Sequence, residues 1–224
     1  MTNYVRVISR DVDKLSQRSE EVNLLRDYKR VSSVITELKD TLRAYTNLTA
    51  LAAPQLNYFD RVFCINFNKD IKTFINPVIT KTEGFKFVRE SSPSIPNKEF
   101  IVPRSTTIYA VYQKGDGTPE SNKFEGLAAE IFQHQLDILD GVLISDFGLE
   151  ILPEFDSASD EEKEKLLKEY MKFLKRRNKK LNKEIENDPD LKKVVDGVKF
   201  INAVATGEVT LEKNSTTKVS NSSN

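Results

Sequence analysis

The chain has 224 residues, enough for one main domain with an extension, because single domains cluster near about 100 to 150 residues. Its 34 basic and 34 acidic residues give a formal net charge of zero, which argues against general binding to nucleic acid or to anionic membranes. A single cysteine excludes an internal disulfide framework, and no apolar run reaches the roughly 20 residues of a membrane-spanning helix, so we expect a soluble, cytoplasmic protein.

Apolar residues recur at steps of three and four near 28–46. They are Val31, Val34, Ile35, Leu38, Leu42 and Tyr45. This spacing predicts an amphipathic helix that packs one face on a core.

Short runs rich in β-branched and aromatic residues follow the helix. They lie at 61–67, 85–90, 99–103 and 106–113. The stretches "NPV", "SSPSIPN" and "KGDGTPESN" between them are typical of turns and loops. Helical spacing returns over 125–139. The order helix, strands, helix predicts an α+β fold with a mostly antiparallel sheet.

A long, highly charged segment at 159–187 carries apolar residues at helical steps. Its start signal is Ser159, followed by acidic residues, so an amphipathic helix is predicted. Such a helix either folds back on the main domain or binds a partner. Because it is long and its apolar face is narrow, we expect a partner-binding face. Its members are Leu166, Tyr170, Phe173, Leu174, Leu181 and Ile185.

The remaining sequence predicts a second helix at 189–205 and a polar tail at 213–224. The tail contains one apolar residue, so it cannot offset the entropy of ordering by burying itself. We therefore expect a main domain over 1–150 and a helical extension over 151–212, followed by the tail.

Four stretches carry recognisable motifs in order. They are "ALAAPQLNYFDRVFCIN" (50–66), "INPVI" (75–79), "ESSPSIPNKEFIVPRSTTIYAVY" (90–112) and "QHQLDILDGVL" (133–143). They resemble G-x-G-L-A-A-x-Q, I-N-P, E-G-C-L-S-I-P with V-x-R, and Q-H-E-x-D-H-L-x-G-x-L of the peptide deformylase family. The resemblance covers about residues 4–147 and implies antiparallel sheets around a central helix.

The resemblance also implies a site. In that family the second-motif cysteine and two helix histidines hold iron or zinc, a glutamate transfers the proton, and the first-motif glutamine binds the developing oxyanion. Here Ser92 takes the cysteine position, Gln135 the glutamate position and Ile138 the second histidine position. Gln55 and His134 match the family. One imidazole and one hydroxyl are poor ligands for a catalytic metal, so we expect no metal or other cofactor.

These replacements predict a pseudoenzyme. The expected role is a structural or adaptor subunit that binds other protein subunits of a larger assembly, such as a tail or baseplate component of a phage virion. No membrane or nucleic-acid partner is expected. Two alternatives stay open: a module that binds an extended peptide along about 90–96, and an active deformylase or other hydrolase with an altered site. A Ser92–His134 pair would serve the latter, although the sequence marks no acid to orient the histidine.

Overall fold

The computed structural model describes residues 5–187, with the side chains of the last helix described up to residue 180. Its helices are α1 (Val12–Leu15), α2 (Leu24–Ala44), α3 (Leu127–Leu139), α4 (Ile144–Phe147), α5 (Pro153–Ser157) and α6 (Asp160–Asn187). Its strands are β1 (Ala50–Ala52), β2 (Val62–Phe67), β3 (Asp70–Glu83), β4 (Lys86–Ser92), β5 (Ile95–Arg104), β6 (Thr107–Gln113), β7 (Pro119–Glu125) and β8 (Leu149–Glu150). A 3-10 helix (Ala53–Leu56) follows β1. The predicted α+β class is confirmed.

The strands form two antiparallel sheets. The larger has the order β1-β2-β3-β6-β7, and the smaller has the order β4-β5-β8. Helix α3 contacts β1, β2, β7 and the 3-10 helix, so it lies centrally, as predicted. None of the helices within residues 5–187 is long and apolar enough to cross a membrane.

The first predicted helix is α2, and it begins earlier than the apolar pattern suggested. The Asn23 side chain accepts hydrogen bonds from the backbone N–H groups of Leu25 and Arg26, at 3.1 and 3.3 Å, and so caps the helix start. The predicted apolar face is buried against β1 and β2. Tyr45, which follows the last turn, is half-buried.

Strand β3 runs through the "NPV" stretch, which the sequence had marked as a turn. Asn76 adopts a φ of +50° at a bulge between Ile75 and Val78, which accommodates Pro77 within the strand. The Asn76 side chain bonds the backbone N and O of Val22, both at 2.8 Å. Turn-type residues therefore mark a strand bulge here. The prediction of a loop was wrong.

Helix α6 packs on the main domain. It begins with the predicted signal, because the Ser159 Oγ accepts from the Glu162 backbone N–H while the Glu162 carboxylate accepts from the Ser159 backbone N–H. One cluster of buried apolar residues joins α6 to α4 and β5. Its members are Phe100, Val102, Ile144, Phe147, Tyr170 and Leu174.

This packing corrects part of the predicted partner-binding face. Tyr170 and Leu174 are only 4% and 3% exposed, and the Tyr170 hydroxyl donates to the Phe147 carbonyl at 2.8 Å. They face the chain's own core because α4 and β5 offer an apolar surface there. Leu166 and Phe173 remain exposed, so partner binding stays a prediction for them. The side chains of Leu181 and Ile185, and the predicted helix and tail at 189–205 and 213–224, lie outside the described residues.

Candidate functional site

Helix α3 brings His134 against strand β4. The imidazole Nδ1 lies 2.8 Å from a carboxylate oxygen of Glu90, and both groups are largely buried. The sequence had marked no acid to orient this histidine, and Glu90 supplies one. Glu90 could have been found from the sequence, because it lies two residues before Ser92 at the end of a predicted strand, and alternate side chains of a strand share one face.

Arg104 holds the Glu90 carboxylate from the other side. Its guanidinium donates two hydrogen bonds to Glu90, at 2.7 and 2.9 Å, and one to Asp137 at 2.5 Å. Burial opposes ionisation of Glu90, but the charge and hydrogen bonds of Arg104, together with His134, outweigh it and lower the Glu90 pKa to about 2. Glu90 is therefore a carboxylate at neutral pH. Burial raises the pKa of Asp137, against the opposing effect of Arg104.

A second polar chain links the 3-10 helix to the end of β4. Gln55 is fully buried, and its side-chain oxygen accepts from the Ala52 backbone N–H at 2.9 Å. Its amide nitrogen donates to the Ser94 hydroxyl at 3.2 Å, and the Ser94 backbone N–H lies 3.3 Å from the Ser92 hydroxyl. Gln55, Ser92 and Ser94 thus form one connected group beside His134 and Glu90.

The two other predicted site residues on α3 differ in their surroundings. Ile138 is 3% exposed and belongs to the apolar cluster that contains Ala50 and Ala52 of β1. Gln135 is 4% exposed, and its side-chain oxygen has no hydrogen-bond partner among the described residues. His134, Gln135 and Ile138 therefore lie on α3, with Ile138 packed as a core residue, Gln55 lies in the 3-10 helix that contacts α3, and Ser92 ends β4.

The residues at the three implied ligand positions do not fit a metal site. Ser92 offers a neutral hydroxyl and Ile138 offers no donor atom, which leaves His134 as the one strong ligand among the three positions. Zinc in catalytic sites takes three protein ligands. Within residues 5–187 no group of three or more His, Cys, Asp or Glu side chains could hold a metal ion. The expected lack of a metal stays a prediction about the protein in solution.

Comparison with known proteins gives the family. Residues 5–148 match the family model for polypeptide deformylase. The chain belongs to this family. Peptide deformylase 2 of Clostridium acetobutylicum is 31% identical over 140 residues, which are 62% of this chain and 91% of that protein.

Solved deformylase structures share the fold. The peptide deformylase of Thermotoga maritima superposes with a TM-score of 0.60 at 28% identity, covering 65% of this chain and 97% of that one. A probable peptide deformylase from Synechococcus phage S-SSM7 gives a TM-score of 0.57 at 29% identity, covering 63% and 98%. The resemblance stated from the motifs is therefore confirmed over the main domain.

These relatives correct the expectation that the chain is not an enzyme. The family is one of enzymes, and the relatives that match nearly their full length at about 30% identity are named peptide deformylases. That expectation rested on three replaced residues, whereas the deformylase match spans the whole site, from Gln55 to Ile138. The replacements at Ser92, Gln135 and Ile138 accordingly describe an altered deformylase-family site.

Proposed function

We propose that the chain binds the N-terminal end of an extended, N-acylated peptide, which lies along β4 and ends at Ser92 and His134. The supporting observation is that β4 is an edge strand of the smaller sheet and that its last residue is Ser92. An edge strand has backbone N–H and C=O groups that can pair with an added strand. The peptide's end would then meet the polar group around His134.

Strand β4 is better suited to this role than β1, the edge strand on the other side of the site. Leu51 and Ala52 of β1 have no exposed surface, and the Ala52 N–H is already bonded to Gln55. By contrast, residues 86–91 of β4 are half-buried or exposed. The names of the relatives point to formylated peptides as the class of ligand.

Hydrolysis of the N-terminal acyl group at the altered site is a second candidate function, and the contact between Glu90 and His134 favours it. A carboxylate at Nδ1 orients the imidazole and leaves Nε2 as the nitrogen that can exchange a proton with a ligand. The role of a structural or adaptor subunit, in a virion or another assembly, has no comparable support from the described residues. It remains a prediction, as do protein partners.

Calorimetry with two peptides tests the binding proposal. Formyl-Met-Ala-Ser should bind, and Gly-Gly-Met-Ala-Ser should not, because two extra residues would carry the chain past the end of β4 into the buried polar group. Equal affinity for both peptides, or no affinity for the formyl peptide, would contradict the proposal.

The hydrolysis candidate needs a variant that keeps the contact with Glu90. In His134→Asn the amide nitrogen can replace Nδ1, whereas nothing replaces Nε2. Release of formate from formyl-Met-Ala-Ser by the wild type should be lost in His134→Asn while peptide binding persists. Formate release that is absent from the wild type, or unchanged in the variant, would remove this candidate.

A further inference from the structure

We infer that Gln135 recognises a hydrogen-bond donor on the ligand, namely the amide N–H of the first residue of an N-acylated peptide. The inference rests on the proposed function, because it concerns the same site. It adds a specificity-determining residue and a chemical requirement on the ligand. From the sequence alone, Gln135 was interpreted only as the residue that replaces the family's catalytic glutamate.

The first observation is the state of the Gln135 side chain. It is 96% buried, since only 4% of its surface is exposed, and its oxygen has no hydrogen-bond partner in the described part of the chain. Gln133, two residues earlier and equally buried, has its amide bonded to Ser105 and to the Ala129 carbonyl. Buried polar atoms are almost always paired, so an unpaired acceptor in the site suggests a donor that arrives with the ligand.

The second observation is the direction in which Gln135 leaves the helix. Residues advance by about 100° along an α-helix, so His134, Ile138 and Gln135 lie in that order within an arc of about 100°. His134 contacts Glu90 of β4 at one end of the arc, and Ile138 belongs to the same buried apolar cluster as Ala50 and Ala52 of β1. Gln135 lies at the other end of the arc, so it leaves α3 on the side of the helix that meets β4 and β1, near the place proposed for the peptide's end.

The chemistry of the site favours a neutral donor over a charged one. Gln135 is neutral, and its free atom is an acceptor. The carboxyl groups of Glu90 and Asp137 are both already bonded to Arg104, so neither is free to hold an ammonium group. The secondary amide N–H of an N-formyl or other N-acyl peptide is a hydrogen-bond donor and carries no charge.

A pair of ligands and a pair of variants test this contact. Formyl-Met-Ala-Ser has an N–H on its methionine nitrogen that can donate a hydrogen bond, and its analogue methylated on that nitrogen has none. Gln135→Met removes the acceptor at nearly constant shape, and Gln135→Glu keeps an acceptor. Loss of one hydrogen bond is worth about 1 kcal/mol, so the wild type should bind the N–H peptide roughly fivefold more tightly than the methylated one, beyond any effect of size.

In Gln135→Met the ratio of the two affinities should fall to the value that the size of the added methyl group alone produces. In Gln135→Glu the ratio should stay as high as in the wild type. The same ratio of affinities in the wild type and in Gln135→Met would overturn the inference and leave the proposed function standing. If neither peptide binds the wild type, the proposed function fails, and the inference fails with it. Thermal melts show that each variant is folded before its titration is interpreted.

Discussion

At the scale of single residues, two glutamines on one helix carry different consequences for stability. Gln133 and Gln135 are both buried in α3, but the described contacts satisfy the amide of Gln133 and leave the Gln135 oxygen unpaired. Gln133→Met should lower the free energy of unfolding by about 1–3 kcal/mol, because it leaves the backbone of Ser105 without partners. Gln135→Met should change it by less than about 0.5 kcal/mol or raise it. Urea denaturation at neutral pH measures both.

Equal losses in the two variants would contradict this difference. Such a result would mean that Gln135 is held by the fold itself, and it would also weaken its assignment to ligand recognition.

The ionisation of Glu90 is a second prediction at this scale. Because Arg104 and His134 lower its pKa to about 2 in the folded chain, against the effect of burial, Glu90 stabilises the fold above the ordinary carboxyl pKa of about 4.3. That contribution should be lost as the pH falls from about 4.3 towards about 2. A carbon-13 NMR titration of the Glu90 carboxyl should give a midpoint near 2. An ordinary midpoint would show that the pair with Arg104 does not hold in solution.

Part of this site was predictable from the sequence. Ser92, His134, Gln55, Gln135 and Ile138 stand within motifs, so their positions could be assigned before the fold was known. Glu90, Arg104 and Asp137 stand in the same motifs, but the motifs did not show that these three residues contact one another or His134. Arg104 reaches Glu90 only because β5 pairs with β4, and Asp137 joins them through α3, so long-range strand pairing decides the electrostatics.

At the scale of elements, α6 gives the clearest test, because two of its aromatic residues differ in burial. Tyr170 is 4% exposed and bonded to Phe147, whereas Phe173 is 49% exposed. Tyr170→Ala should cost about 3 kcal/mol of unfolding free energy, as for other buried aromatic residues. Phe173→Ala should cost less than about 1 kcal/mol. Similar costs in urea denaturation would contradict the packing of α6 on α4 and β5.

The same packing reverses an expectation about truncation. If the helix served only to bind a partner, as expected from the sequence, a chain cut near Ser157 would keep nearly its full stability. An amphipathic pattern is the same whether its face meets the chain's own core or a partner, so the sequence predicted the helix and its start but not its contact. Since Tyr170 and Leu174 complete a buried cluster, the truncated chain should melt at a lower temperature than the full chain.

At the scale of the whole molecule, the fold was predictable because the motifs occupy its structural landmarks. The stretch around His134 forms the central helix, and the stretch from 90 to 112 forms the end of β4, all of β5 and most of β6. Three replaced residues were not enough to predict that the chain is not an enzyme, because membership of an enzyme family rests on the whole matched domain. The main domain therefore supports a test in which the family's residues are restored.

The triple variant Ser92→Cys, Gln135→Glu, Ile138→His should bind about one zinc per chain. A thiolate and two imidazoles would supply three ligands, and Glu90 is already in place to orient His134. The wild type should bind no stoichiometric metal. Elemental analysis of both proteins after dialysis measures this. A folded triple variant without metal, or a wild type that retains one metal per chain, would contradict the structure of the site.

The central claim is that an extended peptide lies along β4 and ends at Ser92. Hydrogen–deuterium exchange of the full chain, with and without saturating formyl-Met-Ala-Ser, tests it most directly, because a strand added to an edge protects the backbone N–H groups of that edge. Slower exchange should appear in residues 86–94 and be absent from the exposed edge strand β7. Protection confined to β7 or to α6, or no change in residues 86–94, would contradict the claim.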